Sequence, residues 1–184
     1  MTELTIALAG NPNAGKSTIF NALTGLHQHT GNWPGKTVEK KEGLIEHEGM
    51  KINIVDLPGT YSLTAYSPEE IIARDFIIEE RPDVVINVVD ATNLERNLYL
   101  TVQILELDVP VVLALNMADD LHREGAKIDI ERLSELLGNL PVIPTTANHG
   151  KGISELIAKA VQAAKQIKSR NEEAIVFSNP MESL

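Results

Sequence analysis

One short pattern near the start constrains this chain more than anything else in it. Gly10-Asn11-Pro12-Asn13-Ala14-Gly15-Lys16-Ser17 fits G-x-x-x-x-G-K-[ST], directly after the apolar run Leu4–Ala9 and directly before residues at helical spacing, Lys16–Leu26. A strand, a glycine-rich loop and a helix in that order turn backbone N–H groups and a helix N-terminus toward a phosphate, and glycine lets the backbone approach without a Cβ clash. In such a loop Lys16 reaches the β- and γ-phosphates of a nucleotide, the Ser17 hydroxyl ligates Mg²⁺, and Thr18 continues the first helical turn beside them.

The rest of the chain supplies the scaffold that this loop needs. Apolar stretches that read as buried strands alternate with amphipathic stretches, the pattern of an α/β fold with a mostly parallel sheet and helices on both faces. Six strands are expected, at Leu4–Ala9, Val38–Glu46, Lys51–Val55, Val84–Val89, Val111–Leu115 and Val142–Pro144. About five helices are expected, at Lys16–Leu26, Pro68–Glu80, Asn93–Glu106, Ile130–Leu137 and Ile153–Ser169. Only His47-Glu48-Gly49 separates the second strand from the third, so these two form a hairpin and one strand runs antiparallel. Ser67, Pro68 and Glu70 give the second helix an N-cap, a proline at its first position and a capping box, and Gly138 stops the fourth. A length of 184 residues suits one domain, taken as residues 1–170. Residues 171–184 lack a helical period and read as a linker or an added strand leading to something further.

Composition excludes several classes. With 43% apolar and 23% charged residues the chain is that of a soluble folded protein. No apolar run approaches the roughly 20 residues that span a bilayer. The N-terminus shows no secretory leader, which points to the cytoplasm. The absence of cysteine rules out disulfides and thiolate metal sites, and a net charge of −10 argues against a nucleic-acid partner.

Three further motifs follow the loop in order. Asp56-Leu57-Pro58-Gly59 ends the third strand, where the Asp56 carboxylate can hold a water of the Mg²⁺ shell and the Gly59 N–H can meet a γ-phosphate. Asn116-Met117-Ala118-Asp119 follows the fifth strand, at the sheet end where ligands bind in open α/β folds. The Asp119 carboxylate matches the two adjacent donors of guanine, N1–H and the 2-amino group, for which adenine has no counterpart. Asn116 braces the loop and Met117 covers a face of the base. After the sixth strand comes Thr145-Thr146-Ala147-Asn148, where the Ala147 N–H can donate to guanine O6.

These motifs resemble those of Ras-like GTPases of the translation-factor class, over nearly the whole chain. Gly31-Asn32-Trp33-Pro34-Gly35-Lys36-Thr37-Val38-Glu39-Lys40-Lys41-Glu42-Gly43 narrows the likeness to the first switch of FeoB, the ferrous-iron transport protein B family of bacteria and archaea. Gly10-Asn11-Pro12-Asn13, Asp56-Leu57-Pro58-Gly59-Thr60-Tyr61-Ser62-Leu63, Val89-Asp90-Ala91-Thr92-Asn93-Leu94-Glu95-Arg96-Asn97-Leu98 and Met117 in place of the usual Lys agree with it. The resemblance implies a three-layer P-loop fold that binds GTP and GDP and hydrolyses GTP with Mg²⁺. It implies that Thr37 joins Ser17 on Mg²⁺ in the GTP state. Many relatives orient water with a Gln after D-x-x-G and use an arginine finger; here Thr60 stands in that place. The resemblance instead implies K⁺ near the bridging oxygen, with Asn13 as side-chain ligand and the backbone carbonyls of Gly31 and Trp33 completing the site. It also implies a helical regulatory domain and a transmembrane transport domain in the same polypeptide, a location on the cytoplasmic face of the membrane, and leaves room for a homo-oligomer. Thr146 stands where many relatives carry serine. His27-Gln28-His29 reads as a mobile surface loop rather than a set of Fe²⁺ ligands, and Glu69, Glu70 and Asp75 as helix capping and a solvated face. Two other functions share these motifs: a soluble GTPase of ribosome or tRNA maturation, and a GTP-regulated binding module with incidental turnover.

Overall fold

Side-chain alternation in the first strand decides the layers. In the computed structural model, which describes residues 3–123 and 125–178, β1 (Glu3–Gly10) sends Leu4, Ile6 and Leu8 to one face and Ala7 and Ala9 to the other, all of them buried. The neighbouring strands β4 (Met50–Asp56), β5 (Val84–Asp90), β6 (Val111–Asn116) and β7 (Val142–Thr145) divide their side chains in the same way. The first face is covered by α1 (Lys16–Thr24) and α6 (Ile153–Ser178) through Ile19, Phe20, Leu156 and Ala160. The second is covered by α2 (Pro68–Asp75), α3 (Leu94–Leu105) and α5 (Ile130–Leu136) through Ile72, Leu100, Ile104 and Leu133. Burial on both faces is why these strands read as near-continuous apolar runs.

The sheet has seven strands in the order β2-β3-β4-β1-β5-β6-β7, one more than expected. The five from β4 to β7 are parallel, and β1 lies between β4 and β5, where the chain's path across the sheet reverses. Gly10, the start of the phosphate loop, is the last residue of β1 at that crevice. The expected antiparallel strand is β3 (Glu39–His47), joined to β4 by a two-residue turn at Glu48 (φ 50°) and Gly49 (φ 75°). Two positive φ values in succession give the turn whose twist matches that of the flanking strands.

The added strand is β2 (Gln28–Asn32), which pairs antiparallel with β3 from Gln28 opposite Gly43 to Asn32 opposite Glu39. It falls on the stretch read as a mobile loop. All five of its residues are exposed, so it has no buried face to give a two-residue apolar period, and only the pairing with β3 makes it a strand.

The helix signals hold where local chemistry carries them. Ser67 Oγ accepts the Glu70 N–H at 3.1 Å, Glu70 Oε2 accepts the Ser67 N–H at 3.4 Å, and Pro68 opens α2. The helix runs on through a π-helical stretch, Phe76–Glu80, to the expected end. Gly138, at φ 77°, follows the end of α5. Two differences remain. A short α4 (Ala118–Arg123) follows β6, and α6 continues past Ser169 to Ser178. Residues 171–178 are therefore helical rather than a strand; Glu and Ala there are good helix formers, and extending a helix is far easier than starting one. Residues 179–184 lie outside the described ones. Among the described residues no helix is long and apolar enough to cross a membrane.

Candidate functional site

The phosphate loop is shaped by two backbone demands. A Cβ on Gly10 would lie 2.7 Å from the Val88 carbonyl oxygen, so the strand end accepts only glycine beside β5. Asn13 (φ 66°) and Gly15 (φ 92°) both adopt the left-handed conformation that curls the chain into α1. Gly15 is the stricter of the two, since a Cβ there would also meet Asn116 Nδ2 at 2.1 Å. Within the loop the Ala14 N–H donates to Asn11 O at 3.2 Å, and the Ile19 N–H donates to Gly15 O at 3.0 Å to start the helix. Lys16 is buried with its Nζ hydrogen-bonded to Asp56 Oδ1, which is buried too; Ser17 is exposed and Thr18 half-buried on the same turn.

The second motif is tied to the first by the backbone. The Leu57 N–H donates to Leu8 O at 3.0 Å and the Thr60 N–H to Gly10 O at 3.1 Å. Gly59 passes so close to the loop that a Cβ on it would lie 3.4 Å from Pro12 Cα. Thr60 itself is buried.

Asn116 joins the other two motifs to the phosphate loop. Its Nδ2 donates to Ala14 O at 3.0 Å, and its Oδ1 accepts from Thr145 Oγ1 and from the Ala147 N–H, both at 3.2 Å. Three segments far apart in sequence thus meet at one buried amide. Beside it opens a cavity of about 190 Å³. Its walls are Gly15 and Thr18 from the phosphate loop, Asn116, Met117 and Asp119 from the loop after β6, and Thr146, Ala147 and Asn148 from the loop after β7. Met117 holds φ 60°, uncommon outside glycine, and Thr146 Oγ1 donates to Asp119 Oδ1 at 3.3 Å. The structure adds His149, which lines the same cavity from the 3₁₀ turn Ala147–His149. Adjacency to the last motif was the one sequence signal for it. The Ala147 N–H, expected to serve the base, donates to Asn116 in this arrangement.

The first switch is not gathered to this site. Thr37 is exposed, and Gly31 lies within β2 opposite Lys40. The Trp33 carbonyl accepts the Lys36 N–H at 2.9 Å in a turn. Of the residues expected around K⁺, only Asn13 stands on the phosphate loop, exposed and lining a second polar cavity of about 180 Å³ with Asn11, Pro12, Asp90 and Asn97. Arg96 and Tyr61 close that cavity, the guanidinium 4.3 Å from the ring centroid. Asn11 is 3% exposed and neither its Oδ1 nor its Nδ2 finds a partner within the protein.

The loop that follows Asp56-Leu57-Pro58-Gly59, from Ser62 to Ser67, is organised by Glu70. Its Oε1 accepts from Ser62 Oγ at 2.7 Å and its Oε2 from the Tyr66 N–H at 2.9 Å, and these bonds, Ser62 first, hold its carboxyl below the usual carboxylate range.

Comparison with known proteins places this arrangement. The sequence matches the family described as Ferrous iron transport protein B over residues 4–160. A Porphyromonas gingivalis protein, the Fe(2+) transport protein A/Fe(2+) transporter FeoB fusion protein, is 55% identical over 152 residues, 82% of this chain and 18% of that protein. The structure of the FeoB G-domain from Methanococcus jannaschii is similar with a TM-score of 0.79 and 51% identity, covering 90% of this chain and 99% of that one. A mutant of S. thermophilus NFeoB bound to GDP gives a TM-score of 0.80 and 52% identity, over 87% of this chain and 61% of that one. The chain spans about a fifth of the length of the curated relatives it matches.

Proposed function

The chain belongs to the ferrous iron transport protein B family, and from that premise we propose that residues 1–170 are a guanine-nucleotide-binding domain that hydrolyses GTP to GDP and phosphate and so regulates Fe²⁺ passage through the membrane part of a longer polypeptide. Its place would be the cytoplasmic face of the membrane, with α6 leading toward a helical regulatory domain. The observation that carries the reading is the cavity where Asn116, Asp119 and the Ala147 loop meet the phosphate loop. The family match favours this over a soluble GTPase acting on RNA.

Selectivity for guanine follows from a carboxylate facing two donors. Asp119 accepts from N1–H and the 2-amino group, and Met117 covers the ring from the loop that Asn116 fastens. For Ala147 to donate to O6, its hydrogen bond to Asn116 Oδ1 has to be shared or exchanged.

At the other end of the site, phosphates compete with Asp56 for Lys16. Once Lys16 turns to them, the Asp56 carboxylate is left to face a hydrated cation. Ser17, Thr37 and Asp56 offer hydroxyl and carboxylate oxygens, the hard donors that suit Mg²⁺. Asn13 offers a side-chain oxygen for K⁺ from an exposed position on the loop, whereas Gly31 and Trp33 would first have to leave β2 and the 33–38 turn. When bound, the two cations would supply positive charge at the β–γ bridge, where charge grows during transfer to water. Backbone N–H groups of the loop and of Gly59 do the same work from the protein side.

Asp119→Asn tests the reading, because an amide presents a donor where guanine N1–H needs an acceptor. The variant should lose GTP and gain xanthosine triphosphate, measured by titration with both. Retained GTP affinity would remove the base-site assignment.

A further inference from the structure

Trp33 is the only tryptophan in the chain, and it stands near the start of the first switch. Its neighbours from Pro34 to Thr37 and the whole of β2 are exposed, yet Trp33 is only 7% exposed. It packs into the core of the second sheet face with Val55 and Ile72. Its ring meets Phe76 edge-on, with centroids 5.6 Å apart at 76°, and Lys40 Nζ lies 5.0 Å from its centroid. The Trp33 N–H donates to Val38 O at 3.0 Å and closes a turn that contains Thr37. Together with half-buried Val38, which packs against the same core, this ring fastens the segment that carries Thr37 to the body of the domain.

Two features set this contact apart from permanent core packing. The indole Nε1 is buried and finds no partner within the protein, whereas a buried tryptophan ordinarily satisfies that donor. A cavity of about 450 Å³ runs beside the ring, walled by Lys36, Asn53, Ile71 and Glu80, so the ring can leave without displacing close-packed neighbours. The seated state is penalised by the unmet donor and has room to open.

We infer that Trp33 is a latch, seated in this groove when the site is empty or holds GDP, and released when GTP draws Thr37 toward Ser17. The inference rests on the GTP reading above. Thr37 cannot be drawn across while the turn that contains it is closed on a buried ring. Seating then weakens binding of GTP and leaves GDP untouched, because a ligand shifts a two-state equilibrium only through its different affinities for the two states.

Because Trp33 is the sole tryptophan, its fluorescence reports the latch directly. In the wild-type protein with Mg²⁺ and K⁺, emission should be blue and poorly quenched by acrylamide with GDP. With a non-hydrolysable GTP analogue it should shift to the red with several-fold stronger quenching. Binding is followed separately with fluorescently labelled GDP and labelled analogue, excited away from tryptophan. Saturation by the analogue with Trp33 emission unchanged would overturn the latch. Failure of both labelled nucleotides to bind would overturn the nucleotide reading and the latch together. Phe76→Leu, which keeps an apolar side chain but removes the edge-on ring, should raise the ratio of analogue to GDP affinity roughly two- to tenfold, the factor an aromatic pair of this geometry is worth, and leave GDP affinity as it was. An unchanged ratio in a folded Phe76→Leu protein would also overturn it.

Discussion

The base-binding end and the first switch of this domain are fastened in opposite ways. At the base end, one buried amide ties the phosphate loop, the loop after β6 and the loop after β7 together through three hydrogen bonds. At the first switch, the exposed strand β2 hangs on a backbone ladder, and the Trp33 ring, with half-buried Val38 nearby, is pushed into a groove that leaves the indole N–H unmet. The first arrangement is held by the protein's own hydrogen bonds. The second is stable enough to form and weak enough to leave. Recognition of a base that GTP and GDP share requires the first kind of construction, and sensing the one phosphate by which they differ requires the second.

The largest effect should come from breaking the fastened end. Asn116→Ala removes three hydrogen bonds and strands buried partners, which at about 1 kcal/mol each comes to roughly 3 kcal/mol. In a domain of this size that lowers Tm by roughly 10 °C, and affinity for GDP and GTP should fall together by about a hundredfold. Calorimetry with titration of both nucleotides checks this; a loss confined to GTP would show that Asn116 belongs to the switching half.

A smaller effect lies between the two regions, at Asn13. Hydrolysis should be faster in K⁺ than in Na⁺ at equal ionic strength, by less than the ~10³–10⁵ of an arginine finger, and Asn13→Ala should erase the difference while GTP affinity changes little. Rates measured in both salts decide it. Full K⁺ stimulation in Asn13→Ala would move the cation elsewhere.

The smallest effect concerns the loop from Ser62 to Ser67 that Glu70 organises. Its carboxyl is held below the usual range in the folded protein, so its contribution is fully present above the unfolded carboxylate value of about 4.3 and is lost as pH falls through the lower folded value. Protection of the Tyr66 amide, its exchange compared with the intrinsic rate at the same pH, should fall by a factor of a few on acidification below about pH 4, and Glu70→Gln should flatten that profile. An identical profile in the variant would assign the loop's order to other contacts.

The sequence made the fastened half far more legible than the other. The phosphate loop, the Ser67–Glu70 cap and the Glu48-Gly49 turn are local devices whose chemistry lies within a few residues, and each is found where it was read. The fold class was legible from the strands buried on both faces. What escaped notice depends on distant partners. Gln28–Asn32 has no pattern of its own and becomes a strand only against β3. The Ala147 N–H looks free in sequence, and only the folded chain brings the Asn116 oxygen to it. Trp33 and Phe76 are 43 residues apart, so nothing local indicates that a switch residue is seated in the core.

The exposure of every residue in β2 has a consequence for how the domain tolerates change in length. A strand with a buried face is locked in register, since a slip by one residue turns its apolar set outward. One residue added between Leu4 and Leu8 of β1 would leave part of that set on the wrong side of the sheet. In β2 no such set exists, so its place is set by what flanks it: Gln28 Nε2 donates to Asn21 Oδ1, Thr24 Oγ1 and Gly25 O at one end, and Trp33 is buried just past the other. Insertions and deletions within β2 therefore turn no apolar set outward, and what they strain is the span between the Gln28 anchor and the seat of Trp33.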